Sequence, residues 1–187
     1  MLKRLILLAM ALVMALTLTA CGGGDNAGAP KSPQKGDEVK LLGSESAKTH
    51  LKVGTTTAPD GHYVLGLIEM QKKLEELSGG TMTLDIYPNS ALGGESDMLD
   101  NVSLGTQDMV LSSTGPIPTF SDATTNWGTL DLPYLFESRE EAYKVLDGEI
   151  GKELLGEFKG TGVKAIGFWE NGFRELTNNK KEIKTPA

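Results

Sequence analysis

The strongest constraint on the fold is an alternation of short strand-like runs with longer amphipathic helices that begins near residue 50. Apolar residues recur at every second position over 51–55 and again over 82–86, the pattern of a half-buried strand. A third short apolar run covers 109–111. Because strand, helix and strand follow one another at this length, the sequence predicts an α/β domain with a parallel sheet and covering helices.

The intervening helices show apolar stripes at steps of three and four residues. The glycines of Ser78-Gly79-Gly80 end the first helix. Its stripe consists of Tyr63, Leu67, Met70, Leu74 and Leu77. A second helix is predicted from about 94 to 104, with an apolar face made by Met98, Leu99 and Val102.

The second half of the chain gives weaker signals. Residues 116–137 are interpreted as a loop or short helix followed by a buried run at 130–136. Ser138-Arg139-Glu140-Glu141 has the form of a capping box and predicts the start of a helix. One more helix is predicted from Ile150, Leu154 and Phe158. The apolar run at 163–169 is predicted as a strand.

Polar loops follow all three predicted strands of the first half. They cover 55–57, 88–95 and 112–114, and they are rich in hydroxyl groups and glycine. Such clusters are often only turn formers. Ligands of parallel sheets bind beyond the carboxyl ends of the strands, however, so three in succession favour a site for a polar small molecule. No phosphate-binding glycine motif is present, and the sequence gives no support for nucleotide binding.

Arg174 is the leading candidate for ligand recognition. It lies in a polar stretch directly after the apolar run 163–169. Its planar guanidinium can hold a carboxylate through two parallel charge-assisted hydrogen bonds, which a lysine ammonium cannot do. The residue type alone leaves a surface salt bridge open as the alternative.

The N-terminus has the composition of a leader and a tether. Residues 1–20 combine a positive start with an apolar stretch shorter than the roughly 20 residues of a spanning helix, so they are interpreted as a signal peptide. Small residues precede Cys21, as in a bacterial lipobox, which predicts a lipid anchor on Cys21. Residues 21–47 are rich in Gly, Ser and Pro and are predicted to be a flexible tether.

Composition excludes several classes of function. Cys21 is the single cysteine, so the folded part has neither a disulfide nor a thiolate site. His50 and His62 share no metal-ligand spacing, and we expect no metal and no cofactor. The formal net charge is −7, and loss of Lys3 and Arg4 with the leader makes it −9, which disfavours nucleic acid as a partner.

Four stretches in order resemble a known family. They are 87–95 (YPNSALGGE), 105–109 (GTQDM), 131–134 (DLPY) and 172–178 (GFRELTN). Together they are similar to the successive signatures of the DctP-type substrate-binding proteins of tripartite ATP-independent periplasmic (TRAP) transporters. The resemblance covers about residues 48–187.

The resemblance implies a receptor without enzymatic activity. Such a protein has a two-domain α/β fold, closes on a small organic acid and delivers it to a small and a large membrane subunit of a TRAP permease. It lies outside the cytoplasm, and here it would be lipid-anchored. Arg174 matches the carboxylate-binding segment of the family. The other ligand-binding positions implied are Asn171, Thr55, Glu95, Ser112 and Ser113.

The predicted domain boundaries leave the second domain incomplete. Residues 48–168 form the first α/β domain, and 169–187 form a hinge crossing and the start of the second domain. Too few residues follow 168 for an independent core, which typically needs at least about 40 residues. The chain is therefore expected to be an N-terminal fragment, and the resemblance places a further family arginine beyond it.

Three other functions stay open at this stage. A ligand-sensing lipoprotein would have the same fold and the same site, and an ABC-type binding protein differs mainly in its motifs. An extracytoplasmic hydrolase would need a nucleophile and a base, but no G-x-S-x-G elbow is present. The sequence does not reveal which organic acid is bound.

Overall fold

The computed structural model describes residues 41–174 and 177–180. The strands are β1 (Thr49–Thr55), β2 (Met82–Tyr87) and β3 (Met109–Leu111). The α-helices are α1 (His62–Leu77), α2 (Glu95–Ser103), α3 (Ile117–Phe120), α4 (Arg139–Leu146) and α5 (Glu149–Gly156), and a 3-10 helix covers Asp122–Asp131. The leader, Cys21 and the predicted tether as far as residue 40 lie outside the described residues. The last part of the predicted tether, 41–47, is instead packed on the domain, since the Leu41 carbonyl accepts a 2.8 Å hydrogen bond from the Ile86 amide and the Gly43 amide donates a 3.0 Å hydrogen bond to the Asp85 carboxylate.

The three strands form a parallel sheet in the order β2-β1-β3. Thr49 pairs with Met82 at one end of the β1–β2 ladder, and Thr55 pairs with Leu111 at the end of the β1–β3 ladder. This confirms the parallel α/β architecture predicted from the alternating pattern. All three carboxyl ends therefore lie at one edge of the sheet.

Two apolar clusters form the core. The first joins the sheet to α1 and is built on Val53, Val64, Leu67, Leu84 and Ile86. The second joins α2, α3, the 3-10 helix and α5 around Leu99, Ile117, Trp127, Leu154 and Phe158. The indole of Trp127 stacks on Phe168 and meets Phe158 edge-on. Its Nε1 donates a 3.0 Å hydrogen bond to the Leu154 carbonyl, so the ring is held by two aromatic neighbours and by one hydrogen bond.

The predicted strand at 163–169 is wrong. Residues 163–174 have no regular secondary structure, although Val163, Ala165 and Phe168 pack against the second cluster. Packed and exposed side chains therefore alternate in this segment, and this alternation gave the sequence its strand-like pattern. Within the described residues no backbone hydrogen bonds pair this segment with a strand, and a strand requires such a partner.

The buried run predicted at 130–136 is also wrong. Leu132 is 57% exposed and Tyr134 is 94% exposed. The chain leaves the 3-10 helix here and turns at Tyr134, whose φ of 63° lies in the left-handed region. A turn of this kind cannot direct successive apolar side chains to one buried face.

Two apolar residues at helix ends are exposed rather than buried. Leu77, the last residue of α1, is 75% exposed, and Ile150, the second residue of α5, is 55% exposed. Gln71 is buried on α1 instead, where its Nε2 donates a 2.6 Å hydrogen bond to the Leu84 carbonyl. The apolar stripe of a helix in the sequence does not show where the helix extends beyond the surface on which it packs.

Candidate functional site

The loops after β1 and β2 are joined at the carboxyl edge of the sheet. The Ser90 amide donates to the Thr55 carbonyl at 3.1 Å, and the Asn89 amide donates to the Thr57 carbonyl at 2.8 Å. Asn89 and Ser90 both have positive φ angles, of 54° and 57°. This left-handed pair reverses the chain after β2, which lets α2 begin beside the end of β1.

Gly54 allows this close approach. A Cβ at Gly54 would lie 2.4 Å from Sδ of Met98 on α2 and 3.0 Å from Nε2 of Gln107. Any side chain here would overlap the Met98 side chain, which packs between α2 and β1. The glycine before Thr55 therefore sets the distance between the first strand and the helix that carries Glu95.

Glu95 is the first residue of α2, and it connects the ends of β1 and β3. Its Oε1 accepts a 3.1 Å hydrogen bond from the Thr56 hydroxyl, and its Oε2 accepts a 2.5 Å hydrogen bond from the Ser113 hydroxyl. The side chain is half-buried. The two hydroxyls fix the carboxylate at the carboxyl edge of the sheet, where parallel sheets bind ligands.

Tyr63 brings a phenol into the electrostatic field of Glu95. It lies at the start of α1 and is only 6% exposed. Burial raises the pKa of the Tyr63 phenol, and the negative charge of Glu95 raises the pKa further. The phenol is therefore a neutral hydrogen-bonding group beside a carboxylate.

Thr55 and Ser112 use their hydroxyls locally. The Thr55 side chain is fully buried, and its Oγ1 lies 3.2 Å from Oγ1 of Thr57. The Ser112 hydroxyl donates to the Ser113 carbonyl at 3.0 Å. Of the predicted positions at the strand ends, Glu95 and Ser113 are thus brought into direct contact.

Two members of this group were missed by the sequence reasoning. Thr56 lies in the polar cluster after β1, but only Thr55 of that cluster was predicted to bind a ligand. Successive side chains of an extended chain point to opposite sides. This alternation was the signal that could have indicated Thr56. Tyr63 was assigned to the core because it belongs to the apolar stripe of α1. Its hydroxyl could have been singled out as the polar end of that stripe.

Asn171 and Arg174 lie in the segment that follows the second cluster, and both are exposed. Glu170 fixes the start of this segment, since its carboxylate pairs with Nε of Arg139 at 2.8 Å and accepts a hydrogen bond from the Tyr143 hydroxyl. Arg174 makes no ion pair with a carboxylate in the part of the chain that the structure describes. The surface salt bridge considered above is thus not seen among those residues.

Within 41–174 and 177–180, no group of three or more His, Cys, Asp or Glu side chains could hold a metal ion. No helix in those ranges has both the length and the apolar character needed to cross a membrane.

A parallel sheet whose carboxyl edge gathers hydroxyls, a phenol and a carboxylate is typical of α/β proteins that bind ligands at that edge. Residues 53–187 match the family described as bacterial extracellular solute-binding protein, family 7 (DctP). The chain belongs to this family, which confirms the resemblance drawn from the four motifs.

Known relatives agree with this assignment. A solute-binding protein of Verminephrobacter eiseniae is 39% identical over 76% of this chain and 42% of its own length. The structure of a TRAP periplasmic solute-binding protein from Polaromonas bound to D-erythronate is 40% identical, with a TM-score of 0.56, over 60% of this chain and 36% of that one.

The sugar acid binding protein of Advenella mimigardefordensis, in complex with galactonate, is 31% identical with a TM-score of 0.68. It matches 73% of this chain and 43% of its own. The chain thus spans less than half the length of these relatives. These relatives are solute-binding proteins.

Proposed function

We propose that this chain is the N-terminal part of an extracytoplasmic receptor that captures a small organic acid and delivers it to a TRAP permease. The observation that carries the proposal is the convergence of Thr56, Ser113 and Glu95 at the carboxyl edge of the parallel sheet. The acids bound by the relatives from Polaromonas and Advenella support the ligand class.

The proposed organisation has two domains. Residues 48–168 are the first domain, and 169–187 cross to the second, which completes the receptor. The short length of the chain relative to its relatives supports this division. The exposed Trp169 and Phe173, at 42% and 55%, lie where the crossing would begin. We call the two-domain protein that contains this chain the complete receptor.

Arg174 is the proposed carboxylate clamp. It is exposed and has no carboxylate partner among the described residues. Closure of two domains would remove water from an ion pair between Arg174 and the ligand, which strengthens their attraction. Asn171, Thr55 and the Ser112–Ser113 pair would shape the same site. The ligand shifts the population toward the closed state, which a permease can distinguish from the empty one.

Calorimetric titration of the complete receptor with a panel of organic acids tests this function. The affinity for a bound acid should fall by about 1.5–3 kcal/mol in Arg174→Ala, the contribution of hydrogen bonds to a charged group. Lys144→Ala removes an exposed positive charge on α4 and should leave the affinity unchanged. Equal affinities of Arg174→Ala and the parent protein would reject the clamp. A complete receptor that binds no organic acid would reject the function.

Lipid attachment at Cys21 is a separate part of the proposal. The small residues before Cys21 support it, and several acyl chains on one residue would anchor the receptor firmly. The complete receptor should sediment with membranes, and Cys21→Ala should release it from them. A wild-type receptor found entirely in the soluble fraction would contradict the anchor while leaving the ligand-binding function intact.

A further inference from the structure

The carboxylate of Glu95 has unused hydrogen-bonding capacity. An ionised carboxylate has about four lone-pair positions on its two oxygens and accepts without donating. Thr56 occupies one position on Oε1, and Ser113 occupies one on Oε2. One position on each oxygen is therefore left without a donor among the described residues. The group is only half-buried, so these positions are open to a ligand.

The surroundings fix the orientation of this acceptor. Thr56 follows β1 and Ser113 follows β3, and the two hydroxyls hold the carboxylate from the carboxyl ends of two neighbouring strands. Glu95 itself begins α2, whose packing on β1 is set by the absence of a side chain at Gly54. A carboxylate held in this way does not have to be ordered again when a ligand arrives, so the entropy cost of binding is lower.

No cation neutralises Glu95 within the described residues, since none of the ion pairs seen there includes it. The nearby phenol of Tyr63 is neutral and makes no hydrogen bond to a described side chain. This edge of the sheet therefore has a local negative charge with two free acceptor positions.

We infer that Glu95 makes the site selective for organic acids that carry hydroxyl groups and against acids that carry a second carboxylate. Neighbouring hydroxyls of a ligand can donate to Oε1 and Oε2 together. A second ligand carboxylate has no proton to donate and is repelled by a like charge. The inference rests on the proposed function, because it assumes that the first carboxylate of the ligand is bound elsewhere in the site.

The test compares acids of equal carbon number on the complete receptor by calorimetry. D-erythronate and succinate form one pair, and D-gluconate and adipate form the other. At least one hydroxy acid should bind ten-fold or more tightly than the dicarboxylate of the same length. Glu95→Gln removes the charge at nearly constant volume and should reduce this preference by about ten-fold. Asp100→Asn makes the same charge change at an exposed position of α2 and should leave the preference unchanged.

The outcomes separate this inference from the function on which it rests. If the parent receptor binds a dicarboxylate as tightly as its hydroxy-acid match, the selectivity is overturned while the receptor function stands. If Glu95→Gln folds, as judged by its thermal midpoint, and keeps the full preference, the role of Glu95 is overturned. If no acid of any length binds, the receptor function fails and the selectivity fails with it. If the variant does not fold, the comparison on the parent receptor still tests the selectivity itself, because a dicarboxylate bound as tightly as its hydroxy-acid match overturns the inference.

Discussion

The indole ring of Trp169 lies directly against the backbone of Gly66 in α1. A Cβ built on Gly66 would lie 2.7 Å from Cζ3 of Trp169 and 3.3 Å from Cη2. This contact attaches the irregular segment that leads to Arg174 to the helix that covers the sheet. The absence of a side chain at residue 66 therefore positions the segment that carries the proposed carboxylate clamp.

Replacement of Gly66 by alanine should displace Trp169. Alanine normally stabilises a helix interior by about 0.5–1 kcal/mol relative to glycine. Here the added methyl group overlaps the indole, so we expect this gain to be lost and the tryptophan emission to shift to longer wavelength. Thermal melting and fluorescence of the complete receptor measure both effects.

Gly156→Ala is the matched control for this substitution. Gly156 is the last residue of α5, and nothing lies within 4 Å of a Cβ built there. This variant should be as stable as the parent or more so, with unchanged emission. If Gly66→Ala shows the same gain and the same spectrum, the ring does not rest on Gly66.

The Thr124 hydroxyl is a buried connection within the second cluster. It lies 2.7 Å from the Ile117 carbonyl and 2.9 Å from the Ser121 carbonyl, and the residue is fully buried. Thr124→Val keeps the shape but leaves both carbonyls without this donor. We expect the free energy of unfolding to fall by about 1–3 kcal/mol. Denaturant titration of the complete receptor measures the loss.

Thr129→Val provides the comparison at an exposed position. The Thr129 hydroxyl donates to the Asn126 carbonyl at 2.8 Å, where water can replace it. Its substitution should change the unfolding free energy by less than about 0.5 kcal/mol. Equal losses at the two positions would show that burial does not determine the cost.

Asp85 should contribute to the acid sensitivity of the fold. Partial burial by itself raises the pKa of the Asp85 carboxyl, but hydrogen bonds from the Gly43 amide and His50 and the charges of His50 and Lys52 outweigh it and lower the pKa. A lowered pKa in the folded state contributes stability above the unfolded pKa, about 3.9. That contribution is lost as the pH falls from there through the lower folded pKa.

Asp85→Asn should therefore lower the thermal midpoint of the complete receptor at pH 7 and flatten its decline below about pH 4. We expect a loss of about 1 kcal/mol at neutral pH, since His50 is partly exposed and its interaction with Asp85 is screened. Asp100→Asn, at an exposed site of α2, should leave the profile of the parent unchanged. Parallel profiles for the parent and Asp85→Asn would contradict this role.

The sheet and its helices were predictable because their signals are local. The alternating residues of β1 and β2 and the stripe of α1 depend on short spacings, and so does the cap at Ser138, whose hydroxyl accepts from the Glu141 amide at 3.2 Å. The segment 163–169 misled the prediction for the same reason. Its alternating side chains pack on a core, but whether a strand forms depends on a hydrogen-bonding neighbour far away in sequence.

The sequence predicted where the candidate site lies on the sheet, but not which of its side chains contact one another. Parallel strands bring their carboxyl ends together, so polar residues after β1 and β3 had to lie near one another. That Ser113 contacts Glu95 while Ser112 turns to a backbone carbonyl depends on side-chain directions that the sequence does not encode locally. Arg174 depends on a segment without regular structure, where spacing carries no geometric information.

The phenol pKa values of two tyrosines should each depend on a different carboxylate. The hydrogen bond from Tyr143 to Glu170 raises the pKa of the Tyr143 phenol, with smaller contributions from burial and from the charge of Glu170. The pKa of Tyr63 is raised by burial first and then by the charge of Glu95. Glu170→Gln should thus lower the pKa of Tyr143 alone, and Glu95→Gln should lower that of Tyr63 alone.

Carbon NMR of ring-labelled tyrosine resolves these titrations in the complete receptor, and Tyr143→Phe and Tyr63→Phe assign the two resonances. Glu153→Gln neutralises an exposed carboxylate of α5 and should move neither pKa. If Glu170→Gln leaves Tyr143 unchanged, the contact that fixes the start of the Arg174 segment is absent in solution. A shift of Tyr63 only with Glu95→Gln would place a charged carboxylate beside its phenol, the electrostatic condition on which the selectivity for hydroxy acids depends.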